Sequence, residues 1–290
     1  VVITVDAESN SIVYGEAFPT IGIDDENVVE ADYTVTAVLK DTSTVANLQR
    51  PVAGTYTVTV KLSNKNYTFV NATENTDTAT VEVVVNKKLV GVDWSGIGAT
   101  LNEGSGNYYA TYGDTLGNPV GSVLEGDSSK LNVKYYRQTD DGKVEITEND
   151  YLNPVAGTYI LEVEGFENAN YDFAENAELS ATIVVSPKEV SITWNERESY
   201  VYGSDLPEPT IADLDAIEGS YTVEKKLVNA EGEEVDFEKV NVGNYVIRVT
   251  IDNPNYTLGG TESGELELTV VPLEITVTVN GSSISSYKYG

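Results

Sequence analysis

The side chains of this sequence best suited to binding chemistry are aromatic: Trp94, Trp194 and the adjacent pair Tyr108-Tyr109. A flat apolar ring with a polar edge can stack on a sugar, so these four residues are the candidate contacts for a glycan or another surface ligand. Tyr108-Tyr109 ends a Gly- and Asn-rich insertion, Ser95 to Tyr109, and binding is usually added to a repeat scaffold on its loops. Trp94 and Trp194 have a competing reading, as core or domain-joint residues, because each closes an alternating strand. Catalysis has less to draw on. Histidine, cysteine and methionine are absent, which removes the commonest general base, the commonest zinc ligand and the thiol nucleophile. Carboxylates number 47, too many for composition to single out the acid/base pair of a glycosidase. No catalytic residue, enzyme activity or cofactor is expected. The acidic turns contain no D-x-[DN]-x-[DN]-G loop, so metal binding is limited to weak surface calcium.

The carboxylates face only 17 Lys and Arg, for a net charge of −30. A field of that sign repels phosphate, which excludes nucleic acid and disfavours an anionic membrane surface. It suits a soluble, self-repelling, surface-exposed protein. No apolar run approaches the ~18 to 20 residues of a membrane span, and no signal peptide is visible. The chain does not begin with Met, which predicts a processed or excised piece whose export signal or anchor lies elsewhere.

Three motifs set the organisation that must position these residues. Pro51-Val52-Ala53-Gly54-Thr55-Tyr56 returns as Pro154-Val155-Ala156-Gly157-Thr158-Tyr159 and, more loosely, as Val240-Asn241-Val242-Gly243-Asn244-Tyr245. An Asn-Tyr pair follows each, ending in Tyr67, Tyr171 and Tyr256, at eleven, twelve and eleven residues from the first tyrosine. A Tyr-Gly pair precedes each, at Tyr14-Gly15, Tyr112-Gly113 and Tyr202-Gly203, and recurs at Tyr289-Gly290. The period is about 90 residues. A glycine directly before a strand supplies φ > 0, and a tyrosine two residues on can return its hydroxyl to that turn, as in the tyrosine corner of immunoglobulin-like sandwiches. These motif residues are read as structural.

Between the motifs the chain alternates with period two. Hairpins are expected at Tyr33 to Leu39, at Leu131 to Ile146 across Asp140-Asp141-Gly142, and at Tyr221 to Val235 across Glu231-Gly232. Val-rich strands close each copy at Thr78 to Val85, Ala181 to Val185 and Leu266 to Val271, and Thr147 to Leu152 is the one fragment able to make a helical turn. The expected fold is all-β: three Ig-like sandwich repeats, with β-grasp units as the alternative. The boundaries are 1–86, 87–187 with the insertion 95–109, and 188–272, followed by 273–290 as the first strand of a fourth repeat or a strand completing or exchanging with a neighbour. The linkers between copies, Asn86-Lys87-Lys88, Ser186-Pro187-Lys188 and Pro272-Leu273, are very short and two contain proline, which predicts nearly fixed angles and a stiff rod.

With Tyr-Gly, Gly-x-Tyr and Asn-Tyr in order before a Val-rich strand, the chain resembles the MBG (YGX-type) and related Ig-like repeats of bacterial cell-surface and secreted proteins. The resemblance covers all three copies. Copy three departs from it at Asn244 and copy two by its insertion. It implies a stalk or adhesin segment outside the cell, attached to the cell wall, with a host or cell-surface glycan or protein as partner. The alternatives are a filament subunit assembled by strand exchange through residues 273–290, which would make the chain self-associate, and a carbohydrate-binding module. Asn-x-Ser/Thr sequons stand at Asn66, Asn71, Asn255 and Asn280.

Overall fold

The computed structural model is all-β. It describes residues 2–6, 10–29, 32–40, 42, 45, 47–70, 75–195, 199–212, 217–259, 264–279 and 282–288. Tyr289-Gly290 and the sequon residues Asn71 and Asn280 lie outside them. A short helix, Glu148–Leu152, forms where the sequence allows one turn. Its capping box explains it: the Thr147 hydroxyl accepts from the Asp150 N–H, and the Asp150 carboxylate accepts from the Thr147 N–H.

Each copy builds its main sheet around the strand that follows the Gly-x-Tyr glycine. In the first, Gly54–Leu62 lies between Tyr33–Leu39 and Thr78–Asn86, antiparallel to both, and Ser11–Val13 runs parallel to Thr78–Asn86. In the third, Gly243–Ile251 lies between Val223–Asn229 and Glu265–Val271, with Tyr200–Val201 parallel to the latter. The middle copy has strands Asn107–Thr111, Leu131–Thr139, Gly157–Phe166 and Ser180–Ser186 in the same chain order.

A smaller sheet is organised by the opening strand. In the third copy, Lys188–Trp194 pairs antiparallel with Pro209–Ile211 and parallel with Tyr256–Gly259, the strand begun by the Asn-Tyr motif. The middle copy divides the same job: Val92–Asp93 pairs with Val120–Gly121, and Lys88–Val90 runs parallel to Tyr171–Phe173. In the first, Val2–Asp6 pairs with Thr20–Asp24. The two sheets close on one core. Ile192, Ile211 and Leu258 from the smaller sheet meet Leu227, Tyr245, Ile247, Leu268 and Val270 from the larger, a sandwich-like packing of mixed rather than purely antiparallel sheets. Alternation selects the inward face, with Tyr56, Val58, Val60 and Leu62 all buried. Each such aliphatic residue stabilises by roughly 1.5–3 kcal/mol.

The chain forms two compact units, Val1–Gly98 with Gly117–Tyr136 and Ile160–Ala181, and Ala99–Leu116 with Arg137–Tyr159 and Thr182–Gly290. Two elements differ from the sequence expectation. The insertion is no free loop: Thr100–Asn102 and Asn107–Thr111 form a hairpin whose second strand runs parallel to the closing strand, Tyr108 opposite Ile183. The Gly- and Asn-rich stretch is its turn, where the Asn102 side chain accepts from the Gly104 and Ser105 N–H groups. Residues 273–290 hold two strands, not one, because Glu274–Val279 pairs with Ser282–Lys288. The Ser-rich composition of the second strand gave no hydrophobic alternation by which to read it.

Candidate functional site

The motif residues converge on two joints. The joint between copies one and two lies wholly within the first unit, and that between copies two and three wholly within the second.

Each begins with the corner loop. The Tyr56 hydroxyl donates to the Val52 carbonyl at 2.8 Å, Tyr159 to Val155 at 2.8 Å, and Tyr245 to Asn241 at 3.0 Å. The buried ring and this bond pin the loop and fix where its N–H groups point. The Tyr-Gly turn is pinned beside it, since the N–H groups of Tyr14, Tyr112 and Tyr202 donate to the carbonyls of Asn86, Ser186 and Val271 at the ends of the closing strands.

The next copy supplies an Asn-x-Asn-Tyr turn. Asn64, Asn168 and Asn253, each two residues before the Asn of Asn-Tyr, accept from the N–H groups of Asn66, Asn170 and Asn255 at 3.0, 3.1 and 3.1 Å. This is an Asx turn, which frees the second asparagine's side chain to point outward. In the first joint Asn170 Oδ1 accepts from the Ala53 N–H of the preceding corner loop at 2.8 Å, while its carbonyl accepts from the linker N–H of Lys88 at 2.9 Å. Asn255 does the same with Ala156 and Lys188, at 2.8 and 2.9 Å. One residue thus clasps the linker and the previous copy together.

The following tyrosine completes the clasp. Tyr171 packs edge-on against Tyr14 with ring centroids 5.4 Å apart, and Tyr256 against Tyr112 at 5.3 Å. The Tyr171 hydroxyl accepts from the Leu124 N–H and donates to Asp127 Oδ2 at 2.5 Å. Tyr14 donates to the other Asp127 oxygen at 3.3 Å, and Arg50 reaches that oxygen at 2.6 Å. Burial alone would raise the Asp127 pKa, but the bonds from Tyr171, Tyr14 and Arg50 outweigh it and hold it below the ordinary value. Burial, then the bond to Asp127, pushes Tyr171 up to about 12. In the second joint Glu218 takes over, its N–H donating to the Tyr256 hydroxyl at 2.8 Å and its carboxylate accepting from Tyr112 at 3.3 Å.

The candidate ligand contacts sit differently. Trp94 is buried at 6% exposure, its indole N–H donating to the Glu178 carbonyl at 3.1 Å, which leaves no ring face for a sugar. Trp194 is half-buried and packs against the third copy's core, and its ring N–H has no partner among the described residues. Tyr108 is half-buried and Tyr109 exposed, both on the sheet strand rather than on a loop. Gly15, Gly113 and Gly203 hold the Tyr-Gly turns with φ between 83° and 95°. Among the described residues no group of three or more His, Cys, Asp or Glu is arranged to hold a metal.

Sequence reading missed Asn64, Asn168, Asn253, Asp127 and Glu218. The asparagines carried a visible signal, since Asn-x-Asn-Tyr recurs in full in all three copies. Glu125-Gly126 and Glu218-Gly219 offered only a weak one for the acids.

No family model matches the sequence, and no curated protein matches it. Among solved structures, the crystal structure of chicken CNTN1 FN1–FN3 domains is similar at 12% identity, covering 82% of this chain and 88% of that one, with a TM-score of 0.19.

Proposed function

We propose that this chain is a structural repeat region, an extracellular spacer that holds an adhesive or interactive segment away from a bacterial cell. The observation that carries the reading is the duplicated clasp. Two joints with different flanking sequences are tied by the same asparagine, the same linker N–H and the same tyrosine pair. A chain that invests its repeated motifs in its joints is built to fix the angle between neighbours. The MBG-type resemblance, the net charge of −30 and the lack of a histidine or cysteine favour a surface stalk over an enzyme. A host or cell-surface glycan or protein remains the partner to seek.

Small-angle scattering on the 290-residue chain, with and without calcium, tests this. A spacer gives one extended profile that calcium leaves unchanged. A profile requiring an ensemble of bent forms, or one that compacts with calcium, would sink the rigid-spacer reading.

A further inference from the structure

The corner tyrosines put the main sheets of copies one and three in the same register, which makes their outward faces comparable position by position. In the first, Leu39 stands opposite Tyr56 and Thr57 opposite Glu82. In the third, Asn229 stands opposite Tyr245 and Val246 opposite Glu267. Glu267 is therefore the counterpart of Glu82, and Ala230, the residue after Asn229, is the counterpart of Lys40. Lys40 closes this face of the first copy by reaching Glu82 at 2.6 Å. In the third copy the side chain that would do so stops at Cβ. An open groove of about 490 Å³ lies over the sheet there, lined by Asn229, Ala230, Asn244, Val246, Glu267 and Thr269, with room for a small molecule.

The polar groups of this groove keep bonding capacity. The basic side chains of the sheet are engaged elsewhere, Arg248 on Glu265 at 3.0 Å, Lys226 on Glu234 at 3.7 Å and Lys225 on Glu208, and among the described residues none bonds the Glu267 carboxylate. Asn244, which replaces the threonine of the other two corner motifs, is already oriented: its Oδ1 accepts from Thr269 Oγ1 at 3.0 Å, which leaves Nδ2 to donate. Half-buried Val246 gives the groove an apolar floor. The fold itself does not ask for an acid at this place. The closing strands align where Asn86, Ser186 and Val271 accept from the Tyr-Gly turns, and that alignment puts Thr182 of the middle copy where Glu82 and Glu267 stand.

We infer that this groove binds an organic primary ammonium with a hydroxyl beside it, the chemistry of an unacetylated amino sugar. The ammonium takes the place of the Lys40 ammonium and donates to Glu267, the neighbouring hydroxyl accepts from Asn244 Nδ2, and the C–H face of the sugar ring lies on Val246. The net charge of −30 draws cations to the whole surface, and the groove retains one that also matches its amide. An exposed ion pair contributes little by itself, so binding needs both groups and is weak, with a Kd on the order of 1 mM. The site uses none of the residues that tie the joints, so it and the spacer reading fail independently.

The test is a titration of the full chain with glucosamine, followed through backbone amide NMR shifts in about 0.1 M NaCl, where screening over about 10 Å suppresses diffuse attraction to the other acids. Saturating shifts are expected at Asn244, Val246, Glu267 and Thr269. N-acetylglucosamine keeps the hydroxyls without the charge and should bind about tenfold more weakly, the loss expected for one charge-assisted bond. Nα-acetyl-lysine amide carries the ammonium without the hydroxyl and should also bind more weakly. Glu267→Gln should weaken glucosamine binding by a similar factor, and Ala230→Lys should abolish it by giving Glu267 the partner that Glu82 has. Both alter exposed side chains and should leave the unfolding midpoint unchanged, which separates lost binding from lost fold. Shifts spread over the acidic surface without saturation, equal binding of N-acetylglucosamine, or undiminished binding by Ala230→Lys would overturn the inference. Equal binding of the lysine derivative would overturn the assignment of a hydroxylated ligand.

Discussion

Tyr14 and Tyr171 meet edge to face, with ring centroids 5.4 Å apart and planes at 78°, and both hydroxyls bond the single carboxylate of Asp127. Neither ring belongs to the sandwich of one copy alone: Tyr14, Tyr56 and Val85 of the first copy share a continuous core with Val90 and Tyr171 of the second. Cores joined in this way couple neighbouring repeats energetically, as in other linear arrays, where stability is a sum of repeat and interface contributions. A substitution at the joint is therefore read by both copies it touches.

Tyr171→Phe keeps the ring and removes the hydroxyl, leaving the Leu124 N–H and one Asp127 oxygen without their partner. The expected loss is about 1–3 kcal/mol, the cost of stranding buried polar groups. Tyr14→Phe should cost less, because its bond to Asp127 is longer, at 3.3 Å, and Arg50 still holds the same oxygen. Urea midpoints of the two variants decide this, and equal losses would contradict the hierarchy.

The raised pKa of Tyr171 has a signed consequence. Its folded value of about 12 lies above the 10.0 of an ordinary tyrosine, so its contribution is fully present below pH 10 and is lost as pH rises through 12. Stability measured from pH 9 to 12 should fall more steeply for the wild type than for Tyr171→Phe. Phenolate absorbance should show this tyrosine ionising last or only on unfolding.

Asp127 gives the opposite limb. Its folded pKa is lowered from 3.8, so the stability it adds is present above about 3.8 and lost as pH falls through the lower folded value. Asp127→Asn should be less stable than the wild type at pH 7, with the gap narrowing in acid. A constant gap from pH 7 to 2 would remove Asp127 from the joint's electrostatics.

Asn170→Ala and Asn255→Ala each strand one corner-loop N–H, of Ala53 and Ala156 respectively, and should cost about 1–2 kcal/mol. Asn66→Ala, at an exposed counterpart, should fall within about 0.5 kcal/mol of the wild type. Hydrogen exchange gives the sharper readout: the Ala53 amide should lose protection in Asn170→Ala and the Ala156 amide in Asn255→Ala, each without effect on the other joint.

Much of the fold was legible because its signals are local. Period-two alternation marked Tyr33–Leu39 to the residue, and Gly-x-Tyr marked the strands at Gly54, Gly157 and Gly243. What stayed hidden was where the motif residues meet. Asn170 and Ala53 lie in different copies, so nothing in their neighbourhoods announces the bond between them. Asp127 is one acid among 47, and only folding shows that two tyrosines and an arginine select it. Trp94 drew attention as an aromatic ring at a strand end, a pattern that a buried core position and a ligand platform share until burial is known.

Gly54→Ala tests the corner from which each joint is built. At φ +151° the backbone of Gly54 occupies a region that side-chain-bearing residues rarely enter, and an added Cβ would stand 2.6 Å from Leu39 Cδ1. Backbone strain of this kind costs of order 1–3 kcal/mol, and the contact with Leu39 adds to it. At Gly157, with φ +153°, a Cβ meets only the flexible end of Arg137, at 3.4 Å, so Gly157→Ala carries the strain without the clash. Calorimetry should therefore place Gly54→Ala below Gly157→Ala in stability, with both below the wild type. Because Gly54 is followed by the tyrosine that pins Val52, displacement there also moves the Ala53 N–H off Asn170. The first joint should accordingly lose amide protection in Gly54→Ala while the second keeps it. Equal stability of the two variants would mean that Leu39 yields without cost, and intact protection at Ala53 would mean that the loop holds its N–H without the glycine.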